Sequence, residues 1–347
     1  ITSFSGVDAI QATALTGDSV TGLNAMALFN LDETPTYSAG GGMLALSNFE
    51  VFTGNANQDA FLISGTQSAT ANGGDGDDSI SFADGAVLNG VFSGGSGSDT
   101  VDFGNYTTPL AIELAAPGST DGFQIQAPGP LGTTANSVDA VTGGSGSDQI
   151  TGLNAVATWS IGVTDSYTSA NRSITIQNVE SRIGGSGNDT FTVQADALSM
   201  MTNELRGGTG NDVFDVTFAA GSSLATGVVL GINGDAPTAL PSNRDTVNVN
   251  VNASGDGART IDLAFQTAST GDLNISGLGG TPINLVDIES FSLNGDSAND
   301  DTVTVTGTGN SDDFTVNPTA NGASIFLNGM TDFVSPGVAG GGDGPDI

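Results

Sequence analysis

The sequence predicts an all-β chain wound as a parallel β-solenoid or β-roll-like coil. Three observations predict it: short runs in which apolar residues alternate, the near absence of helical periodicity, and a glycine turn ending in aspartate that recurs about every 20 residues.

The alternation is plain in Ile80-Ser81-Phe82 and in Val247-Asn248-Val249-Asn250-Val251. Period-two runs rich in Val, Ile, Thr and Phe read as strands with one buried face. No stretch keeps apolar residues at helical spacing between caps. The best candidate, Ala195 to Leu205, supports at most a short helical turn.

Composition narrows the function classes. The 347 residues include 52 Gly, 11 Pro, no Cys and no His. There is no Lys; the five basic residues are Arg172, Arg182, Arg206, Arg244 and Arg259, against 38 Asp and Glu, for a net charge of −33. No basic stripe exists to meet phosphates, so nucleic acid is excluded as a partner. The charge disfavours anionic membranes, and no apolar run is long enough for insertion as a helix. A polyanion with few aromatics folds only if something offsets its carboxylates.

The glycine turn has a regular form, with Asp sixth and an apolar residue two positions on. Five copies are clear: Gly73-Gly74-Asp75-Gly76-Asp77-Asp78-Ser79-Ile80, Gly94 to Val101, Gly143 to Ile150, Gly184 to Phe191 and Gly207 to Phe214. Weaker copies end at Asp59, Asp312 and Asp346. A direct duplication lies over them. Thr21-Gly22-Leu23-Asn24-Ala25 recurs as Thr151-Gly152-Leu153-Asn154-Ala155, Tyr37 matches Tyr167, and Asp99-Thr100-Val101 matches Asp245-Thr246-Val247. The expected organisation is the end of a preceding unit at 1–20, repeat units at 21–150 and 151–300, and a partial unit at 301–347. With no signal-peptide pattern at Ile1-Thr2-Ser3-Phe4, the chain reads as a mature product or an internal piece whose polypeptide or assembly continues.

Glycines allow the turn to curl with its carbonyls inward, and the sixth-position Asp adds a carboxylate. All-oxygen donor sets suit Ca²⁺; without His or Cys, zinc and copper do not fit. One turn cannot surround an ion, but two turns stacked about 4.8 Å apart can share one. The same turns also admit a plain reading as tight β-turns, in which Gly, Asn, Asp and Ser always dominate. Aligned carboxylates repel one another unless a counter-ion intervenes, which favours the ion.

The motif resembles the calcium-binding nonapeptide of the hemolysin-type, repeats-in-toxin (RTX) family. That resemblance implies a parallel β-roll, secretion, and Ca²⁺ held by the sixth-position Asp and glycine-turn carbonyls. Carried over, the ligands are Asp78, Asp99, Asp148, Asp189 and Asp212, with Asp75 and Asp77 in the first clear turn and Asp59 and Asp312 in weaker ones. The family runs its nonapeptides back to back, whereas here they stand singly between ordinary strands. This layout is closer to dispersed-repeat bacterial surface-layer and adhesin-like proteins. Tandem β-sandwiches are the competing fold, because an insertion such as Tyr106 to Ala135 fits a regular coil poorly.

Catalysis is not expected. A Ser-His-Asp triad and a His-based metal site are both impossible without His, and Asp is too abundant for any carboxylate pair to be informative. The expected role is a secreted, cell-surface, calcium-stabilised building block of a surface layer, matrix fibre or filament. Its partners would be copies of itself in a polymer or lattice, with cell-surface polysaccharide as the second class. The alternatives are the stalk or adhesive module of a large adhesin, and the calcium-dependent secretion region of a larger exoprotein.

Overall fold

The computed structural model describes residues 7–14, 16–219, 222–235, 245–251, 260–265, 273–279, 281–288, 290–294, 302–306, 314–319, 322–327 and 334–339. The chain packs as two units, residues 1–151 with 168–179 and residues 152–167 with 180–347. Each is a coil of parallel strands, and among the described residues the only helical element is a 3₁₀ turn at Ala195–Ala197.

In the first unit one wall of the coil stacks Ala27–Leu31, Asp59–Ile63, Ser79–Phe82, Thr100–Asp102, Ala140–Thr142 and Arg172–Gln177, all parallel. Their register puts Phe29, Phe61, Ile80, Val101, Val141 and Ile176 in one row. The opposite wall stacks Ser19–Thr21, Val51–Asn55, Thr70–Asp75, Phe92–Ser96 and Ala135–Val138, with Val20, Phe52, Ala71, Phe92 and Ala135 in register. Side chains alternate across each strand, so every second residue faces the opposing wall. The two rows meet in the core: Phe29 lies 6.1 Å from Phe52 and Phe61 lies 6.1 Å from Phe92, ring centre to ring centre. Each fully buried Phe or Ile contributes roughly 1.5–3 kcal/mol.

The second unit repeats this plan. Trp159, Phe191, Phe214, Val247 and Phe291, four of them aromatic, form its core row on one wall. Arg182, Leu205, Ile232 and Leu285 are in register on the other. Arg182 is a buried charge in an otherwise apolar row. It pairs with Asp165 and also donates to Asn203 Oδ1 at 3.3 Å, so the charge is not left unpartnered.

The insertions leave the coil as antiparallel detours instead of breaking it. Ala27–Leu31 is followed by Thr36–Ala39 and Gly42–Ser47 as a meander. The segment from Tyr106 to Ala135 contains Ala111–Pro117 and Phe123–Gln126, paired antiparallel with each other and then with Ala135–Val138. Thr260–Phe265 and Leu273–Ser276 do the same in the second unit. The fold is therefore the parallel coil, and the insertion that argued for a sandwich is a hairpin carried on it.

The duplication is visible in the hydrogen bonds. The Tyr37 hydroxyl accepts the Leu23 N–H at 2.7 Å and the Tyr167 hydroxyl accepts the Leu153 N–H at 2.9 Å. Both tyrosines also pack on the aromatic row, Tyr37 against Phe29 at 4.9 Å and Tyr167 against Trp159 at 4.7 Å.

Candidate metal centre

Four of the five clear glycine turns sit where the chain passes from the second wall back to the first; the Gly143 turn passes the other way, from Ala140–Thr142 to Gln149–Thr151. Two kinds of glycine build them. Gly74 has φ +118°, a conformation that favours glycine, and a Cβ on Gly95, stacked upon it, would collide with the Gly74 carbonyl. Gly73 has no such φ. It is required because a Cβ there would occupy the space held by Asp78 Oδ2 and the Gly94 carbonyl oxygen. The same clash recurs at Gly184, with Asp189 Oδ2 and the Gly207 carbonyl.

The sixth-position carboxylates turn inward. Asp59, Asp78, Asp99, Asp148, Asp189 and Asp212 are each no more than 1% exposed. The reason is parity: the Asp stands two residues before a core residue, so it faces the same way. Asp78 shares its face with Ile80 and Asp212 with Phe214.

The carboxylates form ladders along the stack. In the first unit the Asp59 N–H donates to Asp78 Oδ1 at 2.7 Å, the Asp78 N–H to Asp99 Oδ1 at 2.9 Å, and the Asp99 N–H to Asp139 Oδ2 at 3.1 Å. In the second unit the Ala157 N–H donates to Asp189 Oδ1 at 2.8 Å, the Asp189 N–H to Asp212 Oδ1 at 2.7 Å, and the Asp212 N–H to Asp245 Oδ1 at 2.8 Å. The steps span 19, 21 and 40 residues in the first ladder and 32, 23 and 33 in the second, so spatial neighbours survive large insertions.

Four rungs leave one oxygen over. Oδ2 of Asp78, Asp99, Asp189 and Asp212 is buried and accepts no hydrogen bond. Burial pushes the carboxyls of Asp78, Asp99 and Asp189 up to about 7 and that of Asp212 up to about 6, with neighbouring carboxylates adding to the rise. Burial raises Asp59 as well. A buried, half-satisfied carboxylate needs either a proton or a cation. Among the described residues the arginines serve elsewhere: Arg182 pairs with Asp165, Arg206 with Asp235 at 2.7 Å, and Arg172 donates to the Thr120 carbonyl at 2.9 Å.

Three of the expected ligands, Asp59, Asp78 and Asp99, are brought together in one ladder, and Asp189 and Asp212 in another. Asp148 is buried but differently bonded, with Oδ1 accepting from the Leu110 N–H at 2.8 Å and Oδ2 from the Gly144 N–H at 2.6 Å. Asp75 and Asp77 are exposed at the turn surface, where Asp75 accepts from the Ser96 hydroxyl at 2.5 Å and Asp77 from the Ser98 N–H at 2.9 Å. Asp312 and Asp346 lie outside the described residues. Asp139 and Asp245 are ladder members that the glycine motif does not mark. The signal that finds them is Asp followed two residues on by a core Val, in Asp139-Ala140-Val141 and Asp245-Thr246-Val247.

The donor set fits a hard cation. Beside Gly73 and Gly184 a lone carboxylate oxygen and a glycine carbonyl from the next rung lie close together, and there is no nitrogen or sulfur donor. The fold and this corner define the chain as a parallel β-solenoid carrying buried aspartate ladders. No protein-family model matches the sequence, and no curated protein matches it.

Proposed function

We propose that the chain is a secreted, calcium-binding structural protein, a building block of an extracellular array held rigid by Ca²⁺ along its aspartate ladders. The observation that carries this is the set of lone, buried Oδ2 atoms at Asp78 and Asp99 in one unit and at Asp189 and Asp212 in the other, those of Asp78 and Asp189 lying beside a glycine carbonyl. Calcium accepts oxygen donors in adaptable number and geometry and offsets the repulsion between successive rungs. Because the unfolded chain has no preformed site, ion binding adds directly to folding stability. Extracellular calcium at millimolar level would then order the chain outside the cell.

The role is structural rather than catalytic. The chain lacks His, Lys and Cys, and its buried ladder carboxylates are tied to backbone N–H groups instead of facing a substrate cleft. No helix among the described residues is long and apolar enough to cross a membrane. Self-association has a surface available to it: among the described residues the outermost strands of the first unit, Ala9–Gln11 and Ser19–Thr21, carry one pairing each, and Ile10 of the former is exposed. The test is electron microscopy and sedimentation of the purified chain with and without Ca²⁺. Ordered, calcium-dependent assemblies are expected; monodisperse monomers at every concentration with calcium present would refute the array.

A further inference from the structure

We propose that Asp99, Asp121 and Asp139 together bind one hard divalent cation, calcium before magnesium, which pins the inserted hairpin onto the end of the first unit's ladder. The three residues each offer a carboxylate oxygen, and these atoms all lie within 4.8 Å of one another. Only Asp99 belongs to a glycine turn. Asp121 comes from the tip of the hairpin between Ala111–Pro117 and Phe123–Gln126, and Asp139 follows directly on Ala135–Val138.

The hairpin tip is built onto this corner. Gly118 N–H donates to the Gly122 carbonyl at 3.0 Å, Ser119 N–H to Asn136 Oδ1 at 3.0 Å, and Thr120 N–H to Ser137 Oγ at 3.1 Å. Gly122 has φ +47° and packs so closely that a Cβ would collide with the Val138 carbonyl. Asp121 is thereby held against the turn of the ladder, with Oδ2 accepting from the Gly97 N–H at 3.3 Å.

The second observation is unsatisfied oxygen. Asp99 is 0% exposed and its Oδ2 has no partner; Asp121 Oδ1 is also buried with no partner. Asp139 spends Oδ2 on the Asp99 N–H. Arg172 Nη1 donates to the Thr120 carbonyl at 2.9 Å. The ion pairs of the described residues, Arg182–Asp165 and Arg206–Asp235, involve none of the three converging carboxylates. The set has no nitrogen or sulfur ligand, and turn carbonyls and water complete a shell of the size calcium takes; magnesium requires tighter octahedral geometry.

This site shares Asp99 with the proposed ladder sites but needs no ladder ion. The experiment uses the full chain, stripped with chelator and titrated with CaCl₂ by calorimetry, with hydrogen exchange read at residues 118–122. Asp121→Asn is compared with Asp212→Asn, a ladder change in the other unit. The expected result is that Asp121→Asn removes one bound ion, or weakens one by at least tenfold, and abolishes calcium-dependent protection at 118–122. Asp212→Asn should leave that protection intact. Wild-type stoichiometry and protection in Asp121→Asn overturn this site, and if Asp212→Asn alone lowers the ion count the ladder reading stands without it. A single ion lost only in Asp121→Asn upholds this site and removes the ladder; a wild-type chain that binds no calcium removes both. Asp139→Asn, read the same way, decides the matter if Asp121→Asn fails to fold by circular dichroism.

Discussion

Asp189 gives its backbone N–H to Asp212 Oδ1 at 2.7 Å, while Oδ2 of that carboxylate, equally buried, accepts nothing. One half of the group is structural and the other half is open. The first prediction follows from that asymmetry. Thermal melting in millimolar Ca²⁺ should run higher than in chelator by more than roughly 10 °C, since several linked sites each add stability by mass action. Circular dichroism and calorimetry check this; superimposable melts in the two conditions would contradict calcium at the ladders.

The pH response in chelator should have an unusual sign. Asp78, Asp99 and Asp189 titrate at about 7 in the folded chain and Asp212 at about 6, against 3.8 for a free side chain. Folding therefore favours the protonated form. The resulting stability is fully present below about pH 3.8 and is lost as pH rises through 6 to 7. In chelator the melting temperature should climb on acidification from pH 8 to pH 5. With Ca²⁺ the trend should flatten or reverse, because protons then displace the ion. A chelated chain that loses stability over that range would contradict the buried carboxylates.

Replacing the charge by an amide separates the two halves of the rung. Asp212→Asn keeps an oxygen for the Asp189 N–H and removes the charge, so in chelator it should be neutral or stabilising while its calcium response weakens. Asp212→Ala also removes the acceptor and leaves a buried N–H, at a cost of about 1–3 kcal/mol. Paired urea titrations with and without Ca²⁺ give the comparison. Equal behaviour of the Asn and Ala variants in chelator would show that the N–H contact contributes nothing.

Much of the coil was legible in the sequence. Alternation in Val247 to Val251 marks a strand with one buried face, and Gly74 and Gly95 mark the turns. The rungs at Asp78, Asp99, Asp189 and Asp212 were legible because a glycine turn precedes each. Asp139 was not, since Val138 stands where a turn would, and Asp245 showed only through its match to Asp99 in the duplication. Asp121 was the least legible: it reaches Asp99 only through a hairpin whose register depends on Asn136 and Ser137 side chains. The inward orientation was written in the Asp-x-apolar spacing, but a charged residue facing a core runs against ordinary partition. Ion pairing of Arg182 with Asp165 was hidden for the same reason.

The first-position glycines should tolerate no side chain. In Gly73→Ala the new methyl meets Asp78 Oδ2 and the Gly94 carbonyl, and neither can move far, because Asp78 Oδ1 holds the Asp59 N–H and Gly95 stacks on Gly74. The expected loss is about 1–3 kcal/mol, with a weakened calcium response, since the methyl displaces both oxygens. Gly85→Ala is the control. It has positive φ, +70°, which Gly73 lacks, but nothing lies within 4 Å of its added Cβ, so it pays only the backbone cost of about 1 kcal/mol. Chemical denaturation with and without Ca²⁺ measures both, and a calcium response equally preserved in the two variants would place the ion away from the Gly73–Asp78 corner.

The paired tyrosines provide a last test, independent of any ion. Tyr167 is fully buried, its ring set at 65° to Trp159 and its hydroxyl taking the Leu153 N–H at 2.9 Å. Gly152 must be glycine to admit that ring, because a Cβ would stand 2.7 Å from Cε2 of Tyr167 and 3.2 Å from Cζ2 of Trp159. Tyr167→Phe removes only the acceptor and leaves the Leu153 N–H without it, so it should cost about 1–3 kcal/mol. Tyr37→Phe makes the same deletion at a more exposed site, where water can replace the hydroxyl, and should cost less. Because neither hydroxyl touches a ladder carboxylate, both variants should keep the full calcium-dependent rise in melting temperature. A Tyr167→Phe chain that melts like the wild type would show that this hydrogen bond, shared by the two halves of the duplication, does not stabilise the fold.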